Sequence, residues 1–78
     1  MNLEILSPEK KVFEGEALAV AFPGASGQFQ VLNNHAALIS SLVEGDIVVK
    51  TTKEETKFSI KSGFVEVMNN NLSVLIEE

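Results

Sequence analysis

The feature that most constrains this sequence is the close spacing of its turn-forming residues. They recur at intervals of roughly 8–12 residues, which is the rhythm of antiparallel β sandwiches and barrels. The turn formers are Ser7-Pro8, Gly15, Pro23-Gly24, Gly27, Asn33-Asn34, Gly45, Gly63 and Asn69-Asn70-Asn71. This spacing predicts an all-β fold, a small antiparallel β sandwich or flattened barrel of about 8–10 short strands.

Between the turns, short runs alternate with period 2 and are rich in β-branched and aromatic side chains, as strands are. The predicted inward rows are Leu3 and Ile5; Leu18, Val20 and Phe22; Ile47, Val49 and Thr51; Phe58 and Ile60; Val65 and Val67; and Leu72, Val74 and Ile76. The segment 35–43 has apolar spacing that would also suit a helix, but it is short for one. We expect a loop leading into a strand there.

Two of the predicted strands are apolar on both sides. A row of small side chains, Ala17, Ala19 and Ala21, stands opposite one inward row, and Phe64 and Met68 stand opposite another. A sandwich sheet normally turns polar residues to water on its outer face. Either these strands are central or covered by loops, or one outer face docks against another protein and the small alanines permit close approach.

Length and charge limit the possible functions. The chain of 78 residues is predicted to be one domain, residues 1–78, and its net charge is −5. That charge disfavours a nucleic-acid binder, which needs a basic surface, and direct adsorption to anionic lipid. The absence of cysteine excludes a disulfide framework and thiolate metal sites. We therefore expect a soluble intracellular module.

Catalytic motifs are absent. The single histidine, His35, lies in no nucleophile-elbow or metal-ligand motif, and a loop histidine that donates a hydrogen bond to backbone is the simpler interpretation. Residues 23–27 lack the Lys-Ser/Thr of a phosphate loop, so we expect a Pro-Gly turn between two strands. Two hypotheses remain besides an enzyme: a non-catalytic binding or structural subunit, and a ligand-binding sandwich with its pocket near His35 and Phe29.

Five stretches together resemble the N-terminal domain of the epsilon subunit of bacterial and chloroplast F-type ATP synthases. They occur in the family's order and spacing and cover essentially the whole chain. The stretches are residues 3–16 (LEILSPEKKVFEGE), 22–29 (FPGASGQF), 31–38 (VLNNHAAL), 61–67 (KSGFVEV) and 71–75 (NLSVL).

The chain also departs from the family pattern. Asn33-Asn34 stand where the family usually has Pro-Gly, and Gln28 stands where an acidic residue is common. Asparagine tolerates left-handed backbone, so the turn is expected to persist. The family's usual C-terminal helical hairpin is absent from these residues. The resemblance therefore implies the coupling role without the inhibitory one, in either a naturally short subunit or a truncated chain.

The resemblance implies a non-catalytic rotor subunit of the central stalk, which links the gamma subunit to the membrane c-ring and couples proton or sodium flow to ATP synthesis. It implies no cofactor, no small-molecule substrate and no nucleic acid. The expected location is the cytoplasmic face of the bacterial inner membrane, peripheral and held through the complex, rather than the chloroplast stroma.

The motif positions also imply contact residues. For gamma we expect Ser7, His35, Leu38 and Ser40, together with Ala17, Ala19 and Ala21 of the small apolar row. For the polar loops of the c-ring we expect the turn around Gly27, Gln28 and Gln30. Those loops generally carry basic residues, so a negative domain would favour their approach.

Overall fold

The computed structural model describes residues 1–78, and it contains nine strands and no helix. The strands are β1 (Asn2–Leu6), β2 (Lys11–Glu16), β3 (Ala19–Gly24), β4 (Gly27–Leu32), β5 (Leu38–Leu42), β6 (Gly45–Lys50), β7 (Glu55–Ile60), β8 (Ser62–Met68) and β9 (Asn71–Glu77). The predicted all-β class and strand number are confirmed, and so is the loop leading into a strand before β5. The protein has no helix of the length and hydropathy that a membrane crossing requires.

One continuous curled sheet contains all nine strands. Its order is β2-β1-β9-β8-β5-β3-β6-β7, with β4 paired to β3 beside this path. We call β2-β1-β9-β8-β5 the first half of the sheet and β4-β3-β6-β7 the second half. The two halves are joined by few hydrogen bonds, because β3 and β5 pair only at Gly24 and Leu42.

The pairing is antiparallel except at one place. Strands β1 and β9 run parallel, with Leu3 opposite Leu72 and Ile5 opposite Val74. This pair is the exception to the antiparallel pairing that we predicted. Hairpin turns join only antiparallel strands, whereas β1 and β9 come from the two ends of the chain and no turn constrains their direction.

A single hydrophobic core lies between the two halves. Its 16 buried residues include Leu3, Ile5, Val65, Val67 and Val74 from the first half. The second half contributes Val20, Phe22, Val31, Ile47 and Val49 to the same cluster. Alternation along each strand thus places one row in the core and leaves the opposite row on an outer face.

The predicted register is wrong at the start of β3. Leu18 is 44% exposed and is not in the inward row, whereas Ala17 is 2% exposed and belongs to the core. The cause is a bend between β2 and β3, where Ala17 donates to Met1 O at 2.9 Å and Leu18 donates to Lys50 O at 2.8 Å. Period 2 holds only from Ala19 onward.

The turn predicted at Pro23-Gly24 lies two residues later. Both residues belong to β3, and Ala25 and Ser26 form the connection to β4. Gly24 has no room for a side chain, since an added Cβ would stand 2.7 Å from Gly27 O and 2.8 Å from the Phe29 ring. This glycine is needed for close packing inside the strand rather than for the turn.

The two ends of the sandwich differ in character. The hairpin end carries Ala25-Ser26 and the β1–β2 loop, in which Lys10 donates its backbone N–H to Ser7 Oγ at 3.3 Å. The asparagine end carries Asn33-Asn34 and Asn69-Asn70.

Candidate functional site

The largest exposed apolar side chains of the first half share its outer face. We call Leu6, Ile39, Phe64, Met68 and Leu75 the apolar outer face. The last four are between 40% and 65% exposed, and Leu6 is half-buried. Register aligns Leu6 with Leu75 and Leu75 with Phe64, so a row of three apolar side chains crosses strands β1, β9 and β8. Such a contiguous patch is typical of a protein-docking surface.

Two shallow concavities indent this face. One, at the hairpin end, has a volume of about 360 Å³ and is lined by residues that include Leu6, Ser7, Phe64 and Leu75. The other, at the asparagine end, has a volume of about 280 Å³ and is lined by Ala37, Leu38, Ile39, Glu66, Val67 and Met68. Each is large enough to receive one apolar side chain of a partner.

Charge on the first half is mostly negative. Lys11, on the edge strand β2, lies 3.6 Å from Glu4 and donates to Glu14 at 2.8 Å. The hydrogen bond to Glu14 raises the pKa of the Lys11 ammonium above its usual value, with a further contribution from the charges of Glu14 and Glu4. Glu66 has no ion-pair or hydrogen-bond partner and lies half-buried between Ile39 and Ser73 in the register.

Two of the residues predicted to contact gamma lie on β5 but point inward. Leu38 and Ser40 are opposite the buried Val67 and Val65 in the register. Leu38 packs against the core, and the Ser40 hydroxyl donates to Ser41 O at 3.1 Å. Ile39, which lies between them and points outward, was not among the predicted contacts.

Ser7 and His35 lie at opposite ends of the sandwich. Ser7 follows β1 at the hairpin end, where it lines the larger concavity. His35 is in the loop before β5 at the asparagine end, and its Nδ1 lies 2.7 Å from Ala36 O. A carbonyl oxygen only accepts, so this ring nitrogen donates, as predicted for a loop histidine.

The three alanines do not form one exposed row. Ala17 is in the core, and Ala19 is only 7% exposed between Leu32 of β4 and Lys50 of β6. Ala21 alone is half-buried, on the outer face of the second half. The two strands with two apolar sides, β3 and β8, therefore lie in different halves and present separate outer faces.

The residues predicted to contact the c-ring cluster on the edge strand β4. Gly27, Gln28 and Gln30 are all exposed, and Gly27 directly follows the hairpin turn. Its φ of +126° favours glycine, because other residues rarely adopt that backbone conformation. The hairpin end therefore presents a polar loop.

The alternative of a ligand pocket shared by His35 and Phe29 is not borne out. Phe29 stacks on Phe22 with ring centroids 5.4 Å apart and packs against the core. His35 lines none of the concavities, and Phe29 lines a different one with Ala21, Gln28 and Gln30. No group of three or more His, Asp or Glu side chains is placed to hold a metal ion.

Sequence reasoning missed Leu6, Ile39 and Leu75 as members of one surface. Phe64 and Met68 were predicted to lie opposite the inward row of β8, but they were not among the residues predicted to contact gamma. The available signal was alternation, since Leu75 stands between the inward Val74 and Ile76. Strand order, which decides whether such residues are neighbours, was not available.

Comparisons with known proteins agree with this architecture. Residues 1–78 match the family described as ATP synthase, Delta/Epsilon chain, beta-sandwich domain. The chain is 41% identical over 76 residues to the ATP synthase epsilon chain of Endomicrobium trichonymphae, spanning 97% of this chain and 55% of that one. It is 38% identical over 77 residues to that of Caulobacter vibrioides, spanning 99% of this chain and 90% of that one. The chain thus spans little more than half of some relatives and most of others.

Solved structures share the fold at low identity. A chain in the cryo-EM structure of the Tetrahymena thermophila mitochondrial ATP synthase central stalk and c-ring superposes with a TM-score of 0.87 and 15% identity, over 99% of this chain and 63% of that one. A chain of the Euglena gracilis mitochondrial ATP synthase gives 0.90 and 19%, over 97% and 49%. From the family match over its full length, this chain belongs to the β-sandwich domain family of ATP synthase delta/epsilon chains.

Proposed function

We propose that this domain is a non-catalytic subunit of the central stalk of an F-type ATP synthase, joining the gamma subunit to the c-ring so that ion flow is coupled to ATP synthesis. In this role the domain makes and breaks no bond. It transmits torque by being held by two neighbours at once, which requires a rigid, closely packed body.

The observation that carries this proposal is the apolar outer face on a chain of this family. Four side chains of 40% to 65% exposure on one face of so small a domain are a large apolar area to leave in water. Gamma is the partner that covers it, with Ser7 in the lining of one concavity and Leu38 in the lining of the other. Gly27, Gln28 and Gln30 at the hairpin end meet the polar loops of the c-ring.

Charge supports the second contact. The net charge of −5 attracts a ring of basic loops, which raises the association rate more than the final affinity. In this proposal the domain is peripheral, at the cytoplasmic face of the bacterial inner membrane, and is attached through the complex alone.

Calorimetric titration of the chain with purified gamma subunit tests the proposal. We expect saturable one-to-one binding with a negative heat-capacity change, which is the signature of buried apolar area. No heat of binding, from a chain shown by circular dichroism to be folded, would contradict it.

A thermal-shift screen with nucleotides and sugars tests the alternative of a ligand-binding module, since a bound ligand would raise the Tm.

A further inference from the structure

We propose that the apolar outer face receives a single α-helix of gamma, which places one apolar side chain in each concavity and a lysine or arginine against Glu66 between them. The inference rests on the proposed function for the identity of the partner.

The distance between the two concavities determines which positions of the helix can enter them. Phe64 lines the one at the hairpin end and Met68 the one at the asparagine end, and both belong to β8. Four residues of strand span about 13 Å, and a helix rises about 10–12 Å over seven or eight residues. Apolar side chains at positions i and i+7 or i+8 of a helix lie on one face and match both concavities.

A helix suits this face better than an extended segment. Strands β8 and β9, which form the centre of this surface, are paired on both edges, so their backbone groups are used within the sheet. An extended segment laid across the face would bury its own N–H and C=O groups without partners, which is costly. A helix satisfies those groups internally and presents only side chains.

Glu66 determines which kind of side chain the middle of the covering helix presents to this face. Its position on β8 is midway between Phe64 and Met68, and it lines the concavity at the asparagine end. Glu4, at the far end of the same cross-strand row, already pairs with Lys11 at 3.6 Å, whereas Glu66 has no partner. Burying an unpaired carboxylate under an apolar helix is unfavourable, so the covering helix must supply a cation near position i+4.

Charge also argues against a second copy of this chain as the occupant. A two-fold contact through this face would bring Glu66 and Glu77 of one copy toward those of the other, and each copy carries a net charge of −5. Like charges brought together in a desolvated contact oppose association. A basic segment of a different chain is favoured instead.

The test measures the affinity of the full chain and its variants for purified gamma subunit by calorimetry. We expect Glu66→Gln to weaken binding by about tenfold and Glu66→Lys by more, because a buried cation loses its partner. Phe64→Ala and Met68→Ala are each expected to weaken binding by about tenfold or more, as central apolar contacts do. Matched controls on the second half, Leu32→Ala and Glu55→Gln, are expected to bind as the wild type does.

The outcomes separate this inference from the function on which it rests. If the wild type binds and Glu66→Gln binds equally well, the cation contact is wrong while the stalk function stands. If only one of Phe64→Ala and Met68→Ala weakens binding, a helix spanning both concavities is wrong. A wild type that does not bind gamma, or that sediments as a dimer through this face, overturns the inference together with the assigned partner. Unfolding curves of each variant establish that it is folded.

Discussion

Asparagine residues determine the backbone conformation at one end of the sandwich. Asn69 and Asn70 have φ of 51° and 64°, so the two-residue loop between β8 and β9 has the positive dihedrals of a type I′ turn. Asn34 has a φ of 63°, which confirms that asparagine preserves a left-handed turn where the family usually has glycine. Asn70 Oδ1 also accepts the Asn34 N–H at 2.8 Å, which joins the two loops.

Replacing the two turn asparagines by glycine separates conformation from hydrogen bonding. We expect Asn69→Gly to leave the free energy of unfolding nearly unchanged, because glycine adopts positive φ readily. Asn70→Gly keeps that conformation but removes the acceptor of Asn34 N–H, and we expect it to be less stable than Asn69→Gly by about 1 kcal/mol. Urea unfolding measures both. Equal stability of the two variants would show that the bond between the loops contributes nothing.

Gly24 is expected to tolerate substitution by alanine poorly, because its surroundings leave no room for a methyl group. The added methyl would overlap Gly27 O and the Phe29 ring at 2.7 and 2.8 Å, so strand β3 or β4 must move. We expect Gly24→Ala to cost about 1–3 kcal/mol. Gly15→Ala is the control, since its methyl would stand 3.7 Å from the Phe13 ring in ordinary contact. Thermal unfolding that affects both alike would contradict the close packing at Gly24.

At the scale of the elements, the position of a strand within the sheet predicts how readily that strand opens. β8 and β9 lie inside the first half with a partner on each side, whereas β7 is an edge strand that pairs only with β6. We expect the amides of Val65, Val67 and Val74 to exchange hydrogen more slowly than those of Thr56 and Phe58. Native-state hydrogen exchange followed by NMR measures this order. Equal protection across β7 and β8 would mean that the sheet opens only as one unit.

Much of the fold could be predicted because burial follows period 2 along most strands. β9 shows the full pattern, with Leu72, Val74 and Ile76 buried and the residues between them exposed. β2 was not found by alternation, because Val12 and Phe13 are adjacent and both half-buried. The parallel pairing of β1 with β9 depends on contacts between distant segments, which no local pattern encodes.

Alternation also explains why only part of the candidate site was predicted. Alternation shows which residues of one strand share a face, and it found Phe64 and Met68. It does not show which strands are neighbours, so Leu75 was not placed beside Phe64, and Ala21 was grouped with a residue from the core, Ala17. The bend before β3 caused that second error, since it depends on hydrogen bonds to Met1 and Lys50.

At the scale of the whole molecule, a thin core and an uncovered apolar face have one physical consequence. A chain of this length buries only about 60–65% of its unfolded surface, so its stability in isolation is small. Binding to the folded state alone adds stability by mass action. The partner that covers the apolar outer face should therefore raise the unfolding temperature by a large amount.

We expect gamma subunit, at a free concentration of about 100 times its Kd, to add about 2.7 kcal/mol to the stability of the domain. For a domain of 60–100 residues each kcal/mol raises the Tm by about 4–8 °C, so the expected rise is about 10–20 °C. Calorimetry of the mixture measures it, with Phe64→Ala at the same gamma concentration as the matched control. Because Phe64→Ala weakens binding, its Tm should rise less than that of the wild type. Equal rises would mean that gamma stabilises the domain through a surface other than the apolar outer face.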